Sequence, residues 1–214
     1  MGAKFLRSAQ PPQAVGELWL LNVPSRKSCS RKHAGFTLLE VLVVIAISFS
    51  LMSMAILQFR SSLPGMRANA AMNQVVSQLR VARDTAIAQR RNVQILFPGP
   101  NQIQLQRFEQ PTGVTPLPPV FFEGGAQFTL FSGLPDTPSG FGNGGAIVFG
   151  GIVGGPATMQ FLSDGTFVDD TGQPINGTIF VGVLNQPATA RAVTILGATG
   201  RFRPYSWNGS AWVE

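Results

Sequence analysis

Few side chains in this sequence are suited to covalent or proton-transfer chemistry, and their placement restricts them further. The only cysteine (Cys29), the only histidine (His33) and every lysine precede residue 36. From Phe36 onward there is no thiol, imidazole or ammonium side chain. A disulfide, a Cys/His zinc site, a Ser-His-Asp triad, a P-loop and a Schiff-base lysine are therefore excluded there. Asp164, Asp169 and Asp170 lie close enough in sequence for paired-carboxylate chemistry. They stand, however, in Ser-Asp-Gly-Thr and Asp-Asp-Thr-Gly segments, where short acids characteristically make turns. The expectation is a protein without catalytic residues, cofactor or metal. Two charged features remain: Glu40, alone inside an apolar run, and Gly200-Arg201-Phe202-Arg203 near the C-terminus.

The chain of 214 residues is 44% hydrophobic and only 12% charged, with 24 Gly and 16 Pro. That composition excludes a disordered chain and a coiled coil, and it fits a loop-rich β fold with an appendage. The net charge of +6 is misleading. Lys4, Arg7, Arg26, Lys27, Arg31 and Lys32 precede residue 36 with a single acid, Glu17; beyond it ten Arg face nine acids. The basic excess is an N-terminal run, not a basic domain.

Phe36 to Leu57 is a run of 22 residues broken by one charge, Glu40. As a helix it extends about 33 Å, enough for one bilayer crossing. Basic residues crowd its N-terminal side and only Arg60 follows closely, which places the N-terminus in the cytoplasm. A secretory signal peptide is the rival reading, but the run is long and Met-Ser-Met-Ala-Ile-Leu-Gln makes a poor small-residue cleavage site. A plain anchor leaves Glu40 unexplained, since an acid at that depth costs several kcal/mol (~2.5–3.5) unless paired or interfacial.

Arg31-Lys32-His33-Ala34-Gly35 followed by Phe36-Thr37-Leu38-Leu39-Glu40 and the apolar run resembles the class III prepilin signal of type IV pilins and type II secretion pseudopilins. The resemblance implies a pilin-like α+β fold, with a long N-terminal helix packed on a C-terminal antiparallel β-sheet head. It also implies cleavage by prepilin peptidase between Gly35 and Phe36, and N-methylation of the new Phe36 amine. Glu40 is then the fifth residue of the mature chain, and its carboxylate meets the terminal amine of a neighbouring subunit during filament assembly. The expected partners are prepilin peptidase, other pilin or pseudopilin subunits and the bacterial inner membrane, with the head in the periplasm. A 35-residue leader is long for the family, and initiation nearer Val23 is an alternative start.

The expected organisation is a leader over 1–35, a membrane helix over 36–57, an amphipathic continuation over 58–91 and a β-rich head over 92–214. Leu63-Pro64-Gly65 predicts a kink or a loosened turn. Met72, Val75, Val76, Leu79, Ala82, Ala86 and Ile87 form the apolar stripe, with Arg80, Arg83, Gln89, Arg90 and Arg91 on a solvated face. Strands are expected at 93–97 and 102–106 as a hairpin, once or twice within 120–131, and at 147–149, 158–162, 178–183 and 192–196, about seven in all. Residues 111–119 and 132–146 read as loops.

Leu79 to Ile87, then Asn92 to Ile95, together with Phe161-Leu162-Ser163-Asp164-Gly165-Thr166 and the segments around 177–179, 191–195 and 200–203, resemble the GspH/FimT-like pseudopilins. Minor pilins that carry Gly-Arg-x-Arg have been implicated in DNA uptake, so the resemblance makes Arg201 and Arg203, with Arg191, candidate DNA contacts. Phe202, Tyr205, Trp207 and Trp212 offer either stacking faces or core. The competing expectation is that the arginines close the last strand onto Asp169 or Asp170.

Overall fold

The computed structural model of the chain describes residues 35–214. The expected leader, with its basic run, Cys29 and His33, lies outside the described residues except for Gly35. Two compact units divide after Ala46.

Helix α1 spans Leu38–Gln89, 52 residues including Pro64. The helix is unbroken where the sequence predicts a kink or loosened turn. Proline removes a single donor, the one that would reach the Arg60 carbonyl. Just before it, Ser61 and Ser62 donate their hydroxyls to the Gln58 carbonyl (2.7 and 3.5 Å), so polar partners are plentiful in that turn. The described side chains from Phe36 to Phe59 are all exposed. The helix is long and apolar enough to cross a membrane.

From Ala68 the helix becomes a core element. Ala68, Ala71, Val75, Leu79, Ala82 and Ala86 are each at most 2% exposed, at steps of three and four residues. Small alanines at four of these six positions let the backbone approach the sheets closely. The expected stripe is corrected at both ends. Ala68 and Ala71 belong to it, while Ile87 is 42% exposed.

The helix also stops two residues short of Arg91. Arg90 adopts φ 51°, its amide bonds to the Ile87 carbonyl (3.4 Å), and the Arg91 amide bonds back to the Ala86 carbonyl (3.2 Å). This is a Schellman stop built with a non-glycine residue in the left-handed position. Of the side chains expected on a solvated face, Arg80, Gln89 and Arg90 are exposed as expected. Gln89 is tied by its Oε1 to Arg107 Nη1 (2.6 Å), and Arg91 is half-buried, with Nη1 unpartnered.

Thirteen strands follow among the described residues: β1 Val93–Gly99, β2 Gln102–Phe108, β3 Val114–Pro116, β4 Val120–Phe121, β5 Ala126–Phe128, β6 Ile147–Phe149, β7 Ile152–Val153, β8 Gln160–Phe161, β9 Phe167–Val168, β10 Gly177–Val183, β11 Arg191–Leu196, β12 Arg201–Trp207 and β13 Trp212–Val213. They make two sheets, not one. The first runs β3-β2-β1-β8-β9, with β4 also on β2; the second runs β13-β12-β11-β10-β6-β7, with β5 also on β10. Every pairing is antiparallel. Of the strands that the periodicity misses, β3 (inside the expected 111–119 loop), β7, β9 and β13 are two or three residues long, too short to show a period, whereas β12 has seven residues and carries Pro204 at its middle.

The main core joins the helix stripe to the inward residues of both sheets, including Ile95, Leu105, Phe149, Phe161, Phe167, Ile179, Val193 and Ile195. A second cluster, Phe180, Ala190, Ala192, Tyr205 and Trp212, lies with Leu130, Phe131, Leu134 and Trp207 against it. It buries the opposite face of β10–β12. The segment 132–146, expected as a surface excursion, is irregular but packs over that face. The indole of Trp212 donates to the Pro135 carbonyl (2.9 Å), and Ser139 Oγ bonds to Thr194 Oγ1 and Tyr205 OH (3.2 Å each).

Leu79→Ala should lower unfolding free energy by about 3 kcal/mol, while Ile87→Ala should cost under about 1 kcal/mol. Arg90→Gly should raise stability by about 1 kcal/mol by relieving the left-handed strain. Chemical denaturation of the full chain in detergent checks all three.

Candidate functional site

The N-terminal site is built by the first helical turn. Thr37 precedes Leu38, and its Oγ1 accepts the Glu40 amide (3.2 Å), so Thr37 is the N-cap and Glu40 the third helical residue. Thr-x-x-Glu is the capping-box sequence. Thr37 and Glu40 serve in the local cap as well as standing within the expected processing motif. The carboxylate of Glu40 thus sits in the one turn of the helix where backbone dipoles favour an anion. Gly35 lies just outside that turn in open space, and the Phe36 side chain is 80% exposed.

The three candidate arginines do not form one site. Strand β11 pairs with β12 so that Leu196 opposes Arg201, Thr194 opposes Arg203, Val193 opposes Pro204 and Arg191 opposes Ser206. Cross-strand partners share a sheet face, and alternate residues along a strand also share one. Val193 and Ile195 face the main core, so Arg191 does too. It is 9% exposed, with Nε donating to Asn69 Oδ1 on the helix (2.6 Å) and Nη1 to the carbonyls of Ala190 (2.8 Å) and Ala188 (3.4 Å). Arg191 is a structural brace between β11 and α1 and is corrected out of the DNA-contact set. Burial disfavours its charged form, and three acceptors on the protein itself take up the guanidinium donors.

Arg201 and Arg203 face the other way. Arg201 is exposed and Arg203 half-buried. Both line a hollow of about 200 Å³ together with Thr194, Leu196, Ser139 and Phe141. The alternative pairing with Asp169 or Asp170 does not form. Among the described residues the ion pair is Arg107–Glu109, and Asp169 Oδ1 is occupied by Thr171 and Gln173 (2.7–2.9 Å). Asp164 Oδ1 likewise accepts the Thr166 hydroxyl and amide (2.7 and 2.9 Å). The threonine hydroxyls, followed by the turn amides, hold both carboxyls below the usual range. A general acid needs the opposite displacement.

The aromatic residues are core. Phe202 packs edge-on against Phe161 (5.9 Å between centroids), Tyr205 and Trp212 are buried in the second cluster, and Trp207 packs on Trp212. Gly200 earns its place by geometry. At φ 58° a Cβ would stand 2.2 Å from the Gly165 carbonyl oxygen. Arg83, expected on a solvated helix face, donates to the Gly165 carbonyl through Nε (3.3 Å) and to the Thr199 carbonyl through Nη2 (3.2 Å). It clamps the turn before β9 and the β11–β12 turn onto the helix.

Arg191→Ala should destabilise the chain by about 2 kcal/mol, through lost carbonyl partners and stem packing. Arg201→Ala should stay within about 0.5 kcal/mol. Parallel melting curves of the two variants test the assignment, and a neutral Arg191→Ala would refute the brace.

Residues 30–56 match the family model described as the prokaryotic N-terminal methylation motif. No curated protein matches the chain. Among solved structures, the chain is similar to the minor pseudopilin EpsH of the type 2 secretion system of Vibrio cholerae, at 13% identity and a TM-score of 0.43, covering 65% of this chain and 97% of that one. It is also similar to the type IV minor pilin FimU of Pseudomonas aeruginosa in two crystal forms. Both show 15% identity, with TM-scores of 0.42 and 0.43, covering 64% and 68% of this chain and 90% and 92% of those. The family match is thus confined to the N-terminal methylation motif, which spans Gly35, Phe36 and Glu40.

Proposed function

We infer that the chain is a minor pilin or pseudopilin, a structural subunit of a type II secretion pseudopilus or a type IV pilus. On this reading prepilin peptidase removes residues 1–35 and methylates the Phe36 amine. Residues 36–57 hold the subunit in the inner membrane, and the segment from 58 to 91 leads into a periplasmic head over 92–214. The observation that carries the reading is a coincidence of features at one place. The methylation motif runs into a helix whose first turn is capped by Thr37 and whose side chains to Ile56 are exposed, apolar or small, with Glu40 the sole acid. In hydrocarbon a lone carboxylate is tolerated when it meets a cation, and a freed Phe36 amine on an adjacent subunit supplies one.

A second reading, DNA contact by the head, is supported by the shared face of Arg201 and Arg203, which carry no carboxylate partner among the described residues. The near-balanced charge beyond residue 35 gives it little electrostatic steering. Two phosphate contacts give a salt slope of about −2 on duplex DNA.

Edman degradation of the membrane-extracted protein should begin at a methylated phenylalanine; any other start sinks the reading. Glu40→Ala should be cleaved at the wild-type rate yet enter filaments at least about tenfold less, the equivalent of about 1.4 kcal/mol. Incorporation at wild-type level would contradict the proposed pairing. For the second reading, the salt dependence of duplex binding should vanish in Arg201→Ala/Arg203→Ala.

A further inference from the structure

The hollow between the 134–142 segment and the outer face of β11 and β12 is built from two opposed chemistries. Arg201 and Arg203 approach from one strand and form no ion pair among the described residues, and Thr194 and Ser139 place hydroxyls beside them. Phe141 and Leu196 give the apolar part of the lining. Behind the lining, hydroxyls continue under the covering segment. Thr178 is the cross-strand neighbour of Thr194, is fully buried, and its Oγ1 has no partner; Thr137 Oγ1, on the covering segment itself, is likewise buried and unpartnered. Buried hydroxyls without partners are costly and uncommon in a finished core. Here they lie in the outer face and its cover, while the main core on the other side of the same sheet is apolar.

We propose that this hollow binds an apolar carboxylate, either a free small acid or the last residue of a polypeptide. The two guanidinium groups take the carboxylate oxygens, the Ser139 hydroxyl, already bonded to Thr194 Oγ1 and Tyr205 OH (3.2 Å each), forms a polar wall beside them, and the apolar group lies against Phe141 and Leu196. Guanidinium forks match carboxylate geometry closely. A volume of about 200 Å³ holds one amino-acid residue, whereas a duplex can reach only its rim. The inference does not rest on filament assembly, because binding is read on the isolated subunit.

The test is titration of the full chain in detergent with five probes: acetate, N-acetyl-leucine, N-acetyl-leucinamide, and a hexapeptide ending in leucine with a free or an amidated C-terminus. Ligand-observed NMR reads the binding. The free acids should saturate with a dissociation constant on the order of 1 mM, and each amide should bind at least about tenfold more weakly. Arg203→Ala and Arg201→Ala should each weaken the acids by about tenfold with unchanged melting curves. Phe141→Ser should weaken acetyl-leucine while leaving acetate binding unchanged. A peptide that outbinds acetyl-leucine identifies a chain end as the ligand, and equal binding identifies a free acid. Acids and amides binding alike, insensitivity to both arginine variants, or displacement of the probes only by a DNA duplex would overturn the proposal.

Discussion

The second sheet is covered on both faces, and the two-residue alternation of side chains along β10, β11 and β12 sorts nearly every residue of interest between those covers. One face meets the helix stripe from Ala68 to Ala86, and the other meets the segment from Leu130 to Asn143. Strand β10 is buried at all seven positions as a consequence. Its Ile179, Val181 and Val183 go to the main core and Phe180 to the second cluster. Burial of this kind specifies register strongly, because a slip of one residue would exchange the two sets. The same constraint decides that Arg191 braces the helix while Arg201 and Arg203 look outward.

That sorting shows why a short arginine-rich motif has to be read with its neighbours. Gly200 is fixed by a turn whose backbone touches a second turn, and Phe202 is fixed by the main core. Only the two arginines of the four-residue segment are free of structural duty. Arg83 supplies the complementary restraint from the helix, holding both turns by their carbonyls. The positions of Arg201 and Arg203 are thus set by the residues between and around them.

Much of the architecture was legible in the sequence, because it depends on long periodic signals. The helix, the β1–β2 hairpin and strands β10 and β11 each carry enough residues to display a period. What could not be read depends on pairing between distant segments. Arg191, Arg201 and Arg203 have the same sequence parity, which in a single strand would place them on one face. The antiparallel register pairs Arg203 with Thr194 and Arg201 with Leu196. These are even-numbered residues, so the face is exchanged between the strands. The exchange depends on the length of the β11–β12 turn and is invisible to periodicity. Likewise, Ala68 and Ala71 are too small to stand out as core residues. The Schellman stop at Arg90 goes unread because glycine is the usual marker of that conformation.

At the other end of the chain, the first turn of α1 bears on how a carboxylate tolerates hydrocarbon. Glu40 does not enter the apolar segment as an isolated charge. Its amide is already satisfied by Thr37, and its place in the first turn lets the unpaired backbone amides of the helix start stabilise the anion. This contribution is worth a few tenths to about 1 kcal/mol at an exposed terminus, less than the several kcal/mol (~2.5–3.5) that a charge at bilayer depth costs. With Glu40 in a bilayer, as the proposed function has it, the cap reduces the deficit without removing it. On the assembly reading, that residual deficit gives the terminal amine of a neighbour its leverage. A carboxylate fully satisfied within its own subunit would gain nothing from a filament, and one with no local support would resist residing in the membrane beforehand.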